Sequence, residues 1–236
     1  MSVQDVQELY DAGLHFGYAR ARRHPSAAPF LFGTKDRTDI FDLEETKKRL
    51  DSAAAFLASV SGTGKAILMV GGKPEARALV ESAANQVGQP FVAGRWIGGT
   101  LTNFKNIRKR IERLLTLEKE RESGQLEKYT KRERLMIDRE IEELRNRFGG
   151  LVTLSELPAA MFVVDSRHEY TAVQEANQLN IPVIALSSSD CDFSKARFPI
   201  PGSDTSVRSI RYVVDRVVEA IQEGKKVSTR AGQAQK

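Results

Sequence analysis

Short apolar runs alternate with helical stripes along most of this chain. The segments KAILMVG (65–71), AAMFVVD (159–165) and IPVIALS (181–187) are continuous apolar runs, typical of strands buried on both faces. Two shorter strands are predicted at TDIFDL (38–43) and PFVAG (90–94). ARFPIPG (196–202) predicts an edge strand, because its prolines have no N–H to donate to a second neighbour.

Helical patterns fill the intervals between these strands. Helices are predicted over 44–60, 74–87, 168–179 and 203–224. Pro74 suits a first helical turn, Ser203 or Asp204 is expected to cap the last helix, and Gly224 is expected to end it. Strands that alternate with helices favour an α/β fold, with a mostly parallel sheet covered by helices on both faces.

The N-terminal region follows a different pattern. A short amphipathic helix is predicted over 4–12, ending at Gly13, and residues 14–37 show no repeat and hold two prolines and two glycines. We expect an extended basic arm there, since the segment has one acid, Asp36, against five cations. These are Arg20, Arg22, Arg23, Lys35 and Arg37. Residues 1–38 are therefore predicted to form a helix and arm outside the α/β domain.

Residues 103–148 interrupt the alternation. Apolar residues recur three or four positions apart over 107–114 and 137–148, as at the seam between two helices. Gly124 is expected to end the first helix, and Thr130 with Glu133 forms a capping-box signature for the second. The insertion is predicted to be a protruding antiparallel coiled-coil hairpin. The α/β domain then comprises 39–102 and 149–224, and the polar segment 225–236 is predicted to be a flexible tail.

The segment RWIGGTLTNFKNIRKR (95–110) leads into this hairpin. Gly98 and Gly99 are expected to let the chain leave the sheet at an angle, and Thr102 or Asn103 to cap the first helix. Trp96 is either a core residue at the hairpin root or a stacking platform. The helix then opens with cations, which the helix dipole disfavours. They are Lys105, Arg108, Lys109 and Arg110.

Composition narrows the class of protein. Hydrophobic residues make up 41% and charged residues 28% of the 236 positions, as in soluble globular proteins. The formal net charge of +5 favours an anionic partner, and the hairpin alone holds 14 Lys/Arg against 10 Asp/Glu. A single cysteine, Cys191, excludes an internal disulfide and fits a reducing cytosol. The N-terminus lacks a signal-peptide pattern, and no apolar run approaches the ~20 residues of a membrane span.

The sequence gives little support for an enzymatic function or for a metal site. SGTGKA (61–66) lacks the spacing of a phosphate-binding loop, while VGGKPEA (70–76) lies between a strand and a helix, where an anion can bind. A nucleotide-binding enzyme that uses this turn is the alternative function. His15 could meet Asp165, Asp190 or Asp204 at strand ends around a metal, or serve as a buried structural histidine. Neither a cofactor nor a catalytic residue is expected.

The chain resembles the bacterial-type family of the second protein of the small ribosomal subunit, ribosomal protein S-two. The matching segments fall in order across nearly the whole chain: AGLHFG (12–17), PFLFG (29–33), IFDLEET (40–46), RWIGGTLTNF (95–104), FGGL (148–151), LPAAMFVVD (157–165), EANQLNIPVIAL (175–186) and IPGSD (200–204). The resemblance implies a flavodoxin-like sheet with a protruding hairpin. It also implies a cytoplasmic, ribosome-bound structural role at the head–body junction, with ribosomal RNA and neighbouring proteins as partners. The large messenger-binding protein of the small subunit is one such neighbour.

The arm departs from the family pattern. Members usually carry a second histidine at the position of Tyr18, and Trp-Asn-Pro-Lys-Met at the positions of 23–27, where this chain has Arg-His-Pro-Ser-Ala. We expect RNA backbone contacts from the arm cations, from Arg95 and Asn103, and from the cations that open the hairpin. A hairpin that meets a protein rather than RNA is a further alternative.

Overall fold

The computed structural model describes residues 3–233. Seven α-helices are present in this range: α1 (Val3–Asp11), α2 (Leu43–Gly62), α3 (Pro74–Val87), α4 (Phe104–Glu122), α5 (Lys131–Phe148), α6 (Tyr170–Gln178) and α7 (Val207–Gln233). Eight strands accompany them: β1 (Phe16–Ala19), β2 (Leu31–Lys35), β3 (Thr38–Phe41), β4 (Ile67–Val70), β5 (Phe91–Val92), β6 (Ala160–Val164), β7 (Val183–Ser187) and β8 (Phe198–Pro201).

Five strands form one fully parallel sheet, in the order β5-β4-β6-β7-β8. Numbered within the sheet alone, this is the 2-1-3-4-5 order of flavodoxin-like folds, so the predicted α/β architecture is confirmed. The proline-containing β8 pairs only with β7 and lies at an edge, as its sequence predicts. The strand order reverses between β4 and β6, and their carboxyl ends are the usual ligand position in such folds.

Side chains that alternate along the strands supply two separate apolar layers. Ile67 and Met69 of β4 face a layer formed with α1, α2, α3 and α7. Leu68 and Val70 face the opposite layer, formed with α6 and with apolar residues of α4 and α5. The sheet is therefore buried on both faces, which explains why its central strands are continuous apolar runs.

The last helix differs from its prediction at both ends. It begins at Val207, after Ser203 and Asp204, and it continues through Gly224 to Gln233 instead of ending there. Gly224 serves close packing: a Cβ at this position would collide with the carbonyl oxygen of Ala58 in α2. The predicted tail is thus helical as far as it is described, and residues 234–236 lie outside the described range.

The N-terminal segment is more regular than its sequence indicates. Within 14–37, which we expected to be extended, β1 and β2 pair on either side of β3 in a three-stranded antiparallel sheet. The strand predicted over 38–43 therefore belongs to this small sheet and not to the parallel one. Asp36 and Arg37 both have positive φ, as in the two-residue turns that connect β-hairpins. An Asp-Arg pair is a weak signal for that turn, so the sequence did not reveal it.

The insertion forms two helices that pack on each other, α4 and α5. Apolar side chains of α4, Ile107, Ile111 and Leu114, are buried in the same layer as Ile141 and Leu144 of α5. Gly124 has φ 75° just past the end of α4, and Thr130 and Glu133 make the predicted capping box. Their apolar stripe is continuous with the layer on the sheet, whereas the sequence predicted a hairpin mostly outside the core.

Across the described residues, none of the helices combines the length and the apolar character that crossing a bilayer requires.

Candidate nucleic-acid interface

The root of the hairpin is built around one buried carboxylate, Glu175 of α6. Its Oε1 accepts hydrogen bonds from Trp96 Nε1 at 3.1 Å and from the Gly99 amide at 2.8 Å. Its Oε2 accepts from the amides of Leu101 and Thr102 at 2.9 and 3.1 Å, and from Thr102 Oγ1 at 3.2 Å. One side chain therefore fixes the whole turn between β5 and α4.

These hydrogen bonds keep the Glu175 carboxyl group ionised, because they lower its pKa. Burial alone would raise the pKa of this carboxyl, but the donors from Trp96, Thr102, Leu101 and Gly99 outweigh burial and lower it. The carboxylate is thus a permanent negative charge surrounded by donors. The N–H groups of this turn form charge-assisted hydrogen bonds with the carboxylate, as they would with a bound anion.

The same bonds assign roles to the residues of the motif. Trp96 is only 9% exposed, so it is a core residue of the hairpin root and not a stacking platform. Gly99 has φ +87°, where a side chain is strained, whereas Gly98 has ordinary backbone angles and open space around it. Of the two glycines, Gly99 makes the turn.

The N-cap of α4 lies where the sequence predicts it, but no side chain forms the expected capping hydrogen bond. Asn103 occupies the N-cap position of α4, but its side chain makes no capping hydrogen bond. The Thr102 hydroxyl donates to Glu175, so it does not cap the amides of the helix either. Backbone carbonyls replace the side-chain cap: the amides of Phe104 and Asn106 donate to the carbonyl oxygens of Leu101 and Asn103, at 3.3 and 3.0 Å.

The cations at the start of α4 divide into two kinds. Arg108 turns inward: its Nη1 donates to the carbonyl oxygens of Val152 and Leu154, at 3.4 and 3.1 Å, and this ties α4 to the chain that returns to the sheet. Lys105, Lys109 and Arg110 are exposed, and within the described structure their side chains have no ion-pair or hydrogen-bond partner. The second kind is available to an external anion.

The arm cations divide in the same way. Arg23 holds the buried Asp39 with two hydrogen bonds, one of 2.8 Å from Nε, and these bonds lower the pKa of Asp39. Arg22 pairs with Asp190 at 3.3 Å and lies over the Tyr18 ring. Three predicted cations remain exposed: Arg20 directly after β1, Lys35 at the end of β2, and Arg37 in the turn between β2 and β3.

At the carboxyl end of β4, where related folds bind phosphate groups, carboxylates of the protein itself accept the available hydrogen bonds. Lys73, in the turn between β4 and α3, donates to Asp165 Oδ2 at 3.0 Å and to Asp204 Oδ1 at 3.2 Å. The neighbouring Gly72 amide donates to Glu169 Oε1 at 2.9 Å. The groups that would hold a nucleotide phosphate are therefore already satisfied, which disfavours the alternative enzyme.

Sequence comparisons agree with this picture. The family model for ribosomal protein S2 matches residues 9–224. The chain is also 41% identical, over 219 residues, to the small ribosomal subunit protein uS2 of Sorangium cellulosum, and the match covers 93% of this chain and 79% of that protein. The chain belongs to the ribosomal protein S2 family.

The most unusual acid cluster of this S2-family chain lies at the carboxyl ends of β6 and β8. Burial and the neighbouring Asp165 raise the pKa of Asp204 to about 7, although Lys73 opposes the shift. Asp165, Asp204 and Cys191 hold their ligand atoms within 4.8 Å of one another, but the Lys73 ammonium already bridges the two carboxylates. Burial also raises the pKa of Cys191 to about 12, so this thiol stays protonated.

His15 is a buried structural histidine. Its ring stacks on Tyr10, with 4.4 Å between centroids, and lies 4.0 Å from the Phe16 ring. Its Nδ1 has no hydrogen-bond partner among the described residues, and burial lowers its pKa. The aspartates do not bond this ring. Lys73 pairs with Asp165 and Asp204, and Arg22 and Arg167 pair with Asp190.

The sequence analysis missed the structural roles of Glu175 and Asp39, and it interpreted the turn that holds Lys73 as a possible anion site. Each is a charged residue within a pattern that reads as a solvated helix face, a phosphate-binding turn or an ordinary strand. Glu175 does lie in the EANQLNIPVIAL segment shared with the S2 family, but its position in α6 gives no local sign that it reaches the hairpin root.

Proposed function

We propose that this S2-family protein is a structural constituent of the small ribosomal subunit and binds ribosomal RNA at the junction of head and body. Family membership supports the subunit assignment. The protein then acts at the ribosome in the cytoplasm, and it carries no enzymatic activity.

The exposed cations at the hairpin base carry the RNA-binding part of the proposal. Lys105 lies in the first turn of α4, where a cation opposes the helix dipole by a few tenths of a kcal/mol, and no acid of the described structure pairs with Lys105, Lys109 or Arg110. Folded RNA is recognised mainly through its shape and phosphates, to which such spread cations are suited. Arg95, Arg20, Lys35 and Arg37 are further exposed cations that we assign to RNA contacts. We assign Arg22, Arg23 and Arg108 to internal structural roles, because they already bond Asp190, Asp39 and the carbonyl oxygens of Val152 and Leu154. Asn103 is exposed, makes no capping hydrogen bond and remains a proposed RNA contact.

The hairpin determines how far the RNA-binding cations extend from the α/β domain. We propose that α4 and α5 form an antiparallel coiled coil that projects from the α/β domain, with its root fixed by Glu175 and Trp96. A rigid root sets the angle of the hairpin, and so determines which RNA segment its cations meet.

A neighbouring ribosomal protein is the second class of partner. Phe16 and Phe32 of the small N-terminal sheet are 53% and 83% exposed, so their rings are accessible to another protein. We propose that these two aromatic side chains contact another small-subunit protein. The large messenger-binding protein is the neighbour that the family resemblance implies.

Neutralising the three free hairpin cations tests the RNA contact. The variant Lys105→Gln, Lys109→Gln, Arg110→Gln should bind small subunits lacking this protein more weakly. Its slope of log affinity against log salt should fall by roughly two, because fewer counterions are released. The matched control neutralises three exposed cations of α7, Arg208, Arg211 and Lys226, and should leave the slope unchanged. Equal slopes in wild type and hairpin variant would contradict the assignment.

A further inference from the structure

An open groove runs along the free edge of the parallel sheet beside β5. One cavity of about 860 Å³ lies between α3, the chain at 91–95 and the end of α5. A second, of about 670 Å³, lies at the carboxyl ends of β4 and β6, near Gly72 and Gly98. Arg77 and Arg95 line both cavities, so the two are sections of one surface, which we call the edge groove.

Four arginines give the edge groove its charge. Arg77 and Arg95 lie at its middle, and Arg145 and Arg147 of α5 lie at the hairpin end. Arg95 is exposed and has no ion-pair or hydrogen-bond partner among the described residues, whereas Arg77 donates to the Gly72 carbonyl oxygen at 3.1 Å. Among residues 3–233, no carboxylate forms an ion pair with either of the two central arginines.

The arginines of α5 are only partly neutralised. Arg145 pairs with Glu118 at 2.5 Å and Arg147 with Glu143 at 2.6 Å, and each pair lies on the surface. Exposed pairs of this kind contribute about 0–1 kcal/mol, so a phosphate can displace or share them. Three acids, Glu81, Glu118 and Glu169, line the two cavities against four arginines, and Glu169 already accepts a hydrogen bond from the Gly72 amide.

The floor of the groove admits a backbone chain. Gly94, Gly149 and Gly150 lie along it, and Gly94 has nothing within 4 Å of the position a Cβ would take. Gly150 packs against Phe91 so closely that any side chain there would collide with it. The open position at Gly94 lets a second polymer come close to the protein backbone there.

We propose that the edge groove binds the sugar–phosphate backbone of a segment of ribosomal RNA, with Arg77 and Arg95 as its central phosphate contacts. The inference rests on the proposed function and adds a second RNA surface, separate from the cations of α4. Guanidinium groups suit phosphate because they offer paired donors in a fixed fork. Charges spread along an open channel suit a polymer of phosphates better than a single small anion.

The test uses full-length protein and small subunits that lack it. The variant Arg77→Gln, Arg95→Gln should bind with about tenfold or lower affinity, and its salt slope should fall by about 1.5 to 2. The lysine variant at both positions keeps the charge and should retain most of the slope. The matched control Arg208→Gln, Arg211→Gln on α7 should behave as wild type. Arg95→Gln alone removes no internal bond, so it reports the contact even if the double variant is poorly folded.

The outcomes separate this inference from the proposed function. If wild type does not bind the subunits, the proposed function fails. If wild type binds and both groove variants match it in affinity and slope, the edge groove is not an RNA site. A loss of affinity with an unchanged slope would point to a protein partner in the groove and would also overturn the proposal.

A positional measurement strengthens the test. Asn85 is exposed and lines the groove, so an Asn85→Cys variant can carry an iron chelate that generates hydroxyl radicals. Cys191 is buried with a raised pKa and should not be labelled. Bound to the subunit, the probe should cleave a short, defined stretch of ribosomal RNA. Cleavage no stronger than from a probe at Arg211→Cys would contradict the inference.

Discussion

Charged residues in this protein serve two purposes, which their contacts distinguish. Glu175, Asp39 and Asp204 are buried and hold segments of chain together through donors on several elements. Lys105, Lys109 and Arg95 are exposed and have no partners within the described structure. The first kind shapes the molecule, and the second is available to RNA.

Replacing Glu175 by glutamine tests the first kind. The amide group of glutamine would face two of the donors that now point at a carboxylate oxygen, leaving buried N–H groups unsatisfied. We expect a loss of about 3 kcal/mol in the free energy of unfolding, measured by urea titration. Glu142→Gln, on an exposed position of α5, is the control and should change stability by less than about 0.5 kcal/mol. A Glu175→Gln protein as stable as the control would refute the role of this carboxylate.

Asp204 should make stability depend on pH near neutrality. Its pKa is raised to about 7 in the folded protein, above its value in the unfolded chain, so the folded state binds the proton more tightly. Stability from this group is therefore present at low pH and is lost as the pH rises through about 7. His15, whose pKa is lowered, acts in the opposite direction, so the comparison must be between variants that both retain it.

The variant Asp204→Asn isolates this effect, because asparagine keeps an acceptor oxygen for Lys73 and cannot ionise. The difference in Tm between variant and wild type should shift in favour of the variant as the pH is raised from about 6 to about 8. Thermal melts at several pH values measure it. A difference that stays constant with pH would show that Asp204 does not titrate in this range.

At the level of elements, the parallel sheet was largely predictable and its surroundings were not. The strands β4, β6 and β7 are apolar on both faces, which is a strong local signal, and the capping box of α5 is equally local. The small sheet escaped prediction because β1 pairs with β3 across about twenty residues, and its turn at Asp36 and Arg37 lacks glycine. Long-range pairing leaves little trace in a short, irregular segment.

The site was less predictable than the fold for the same reason. Exposed cations such as Lys109 could be read from the start of α4, but Arg108, its neighbour, proved internal because carbonyl oxygens of 152 and 154 happen to lie beside it. Likewise, Gly224 looked like a helix terminus, and its actual role depends on the approach of α2. Tertiary partners, not local sequence, decide these cases.

The turn into α4 offers a paired test at this scale. Gly99 adopts a left-handed conformation that costs a residue with a Cβ roughly 1–2 kcal/mol, whereas Gly98 has ordinary angles and open space. Gly99→Ala should therefore lower the free energy of unfolding by about that amount, and Gly98→Ala should leave it within about 0.5 kcal/mol. Chemical denaturation of the two variants measures both. Equal effects would show that the pair acts as a general flexible link.

For the molecule as a whole, charge placement is the consistent theme. The acids at the strand ends neutralise Lys73 and close the position where related folds bind phosphate-containing ligands. The uncompensated cations lie at the hairpin base, on the small sheet and along the edge groove. A protein arranged in this way is suited to be held by RNA from outside and not to bind a nucleotide within its sheet.

The most direct test of this account is where the protein sediments in its own cells. A tagged copy should migrate with the small ribosomal subunit on a sucrose gradient, and should remain with that subunit when low magnesium separates the ribosomal subunits. Sedimentation at the top of the gradient, as a free protein of 26.3 kDa, would contradict the central claim.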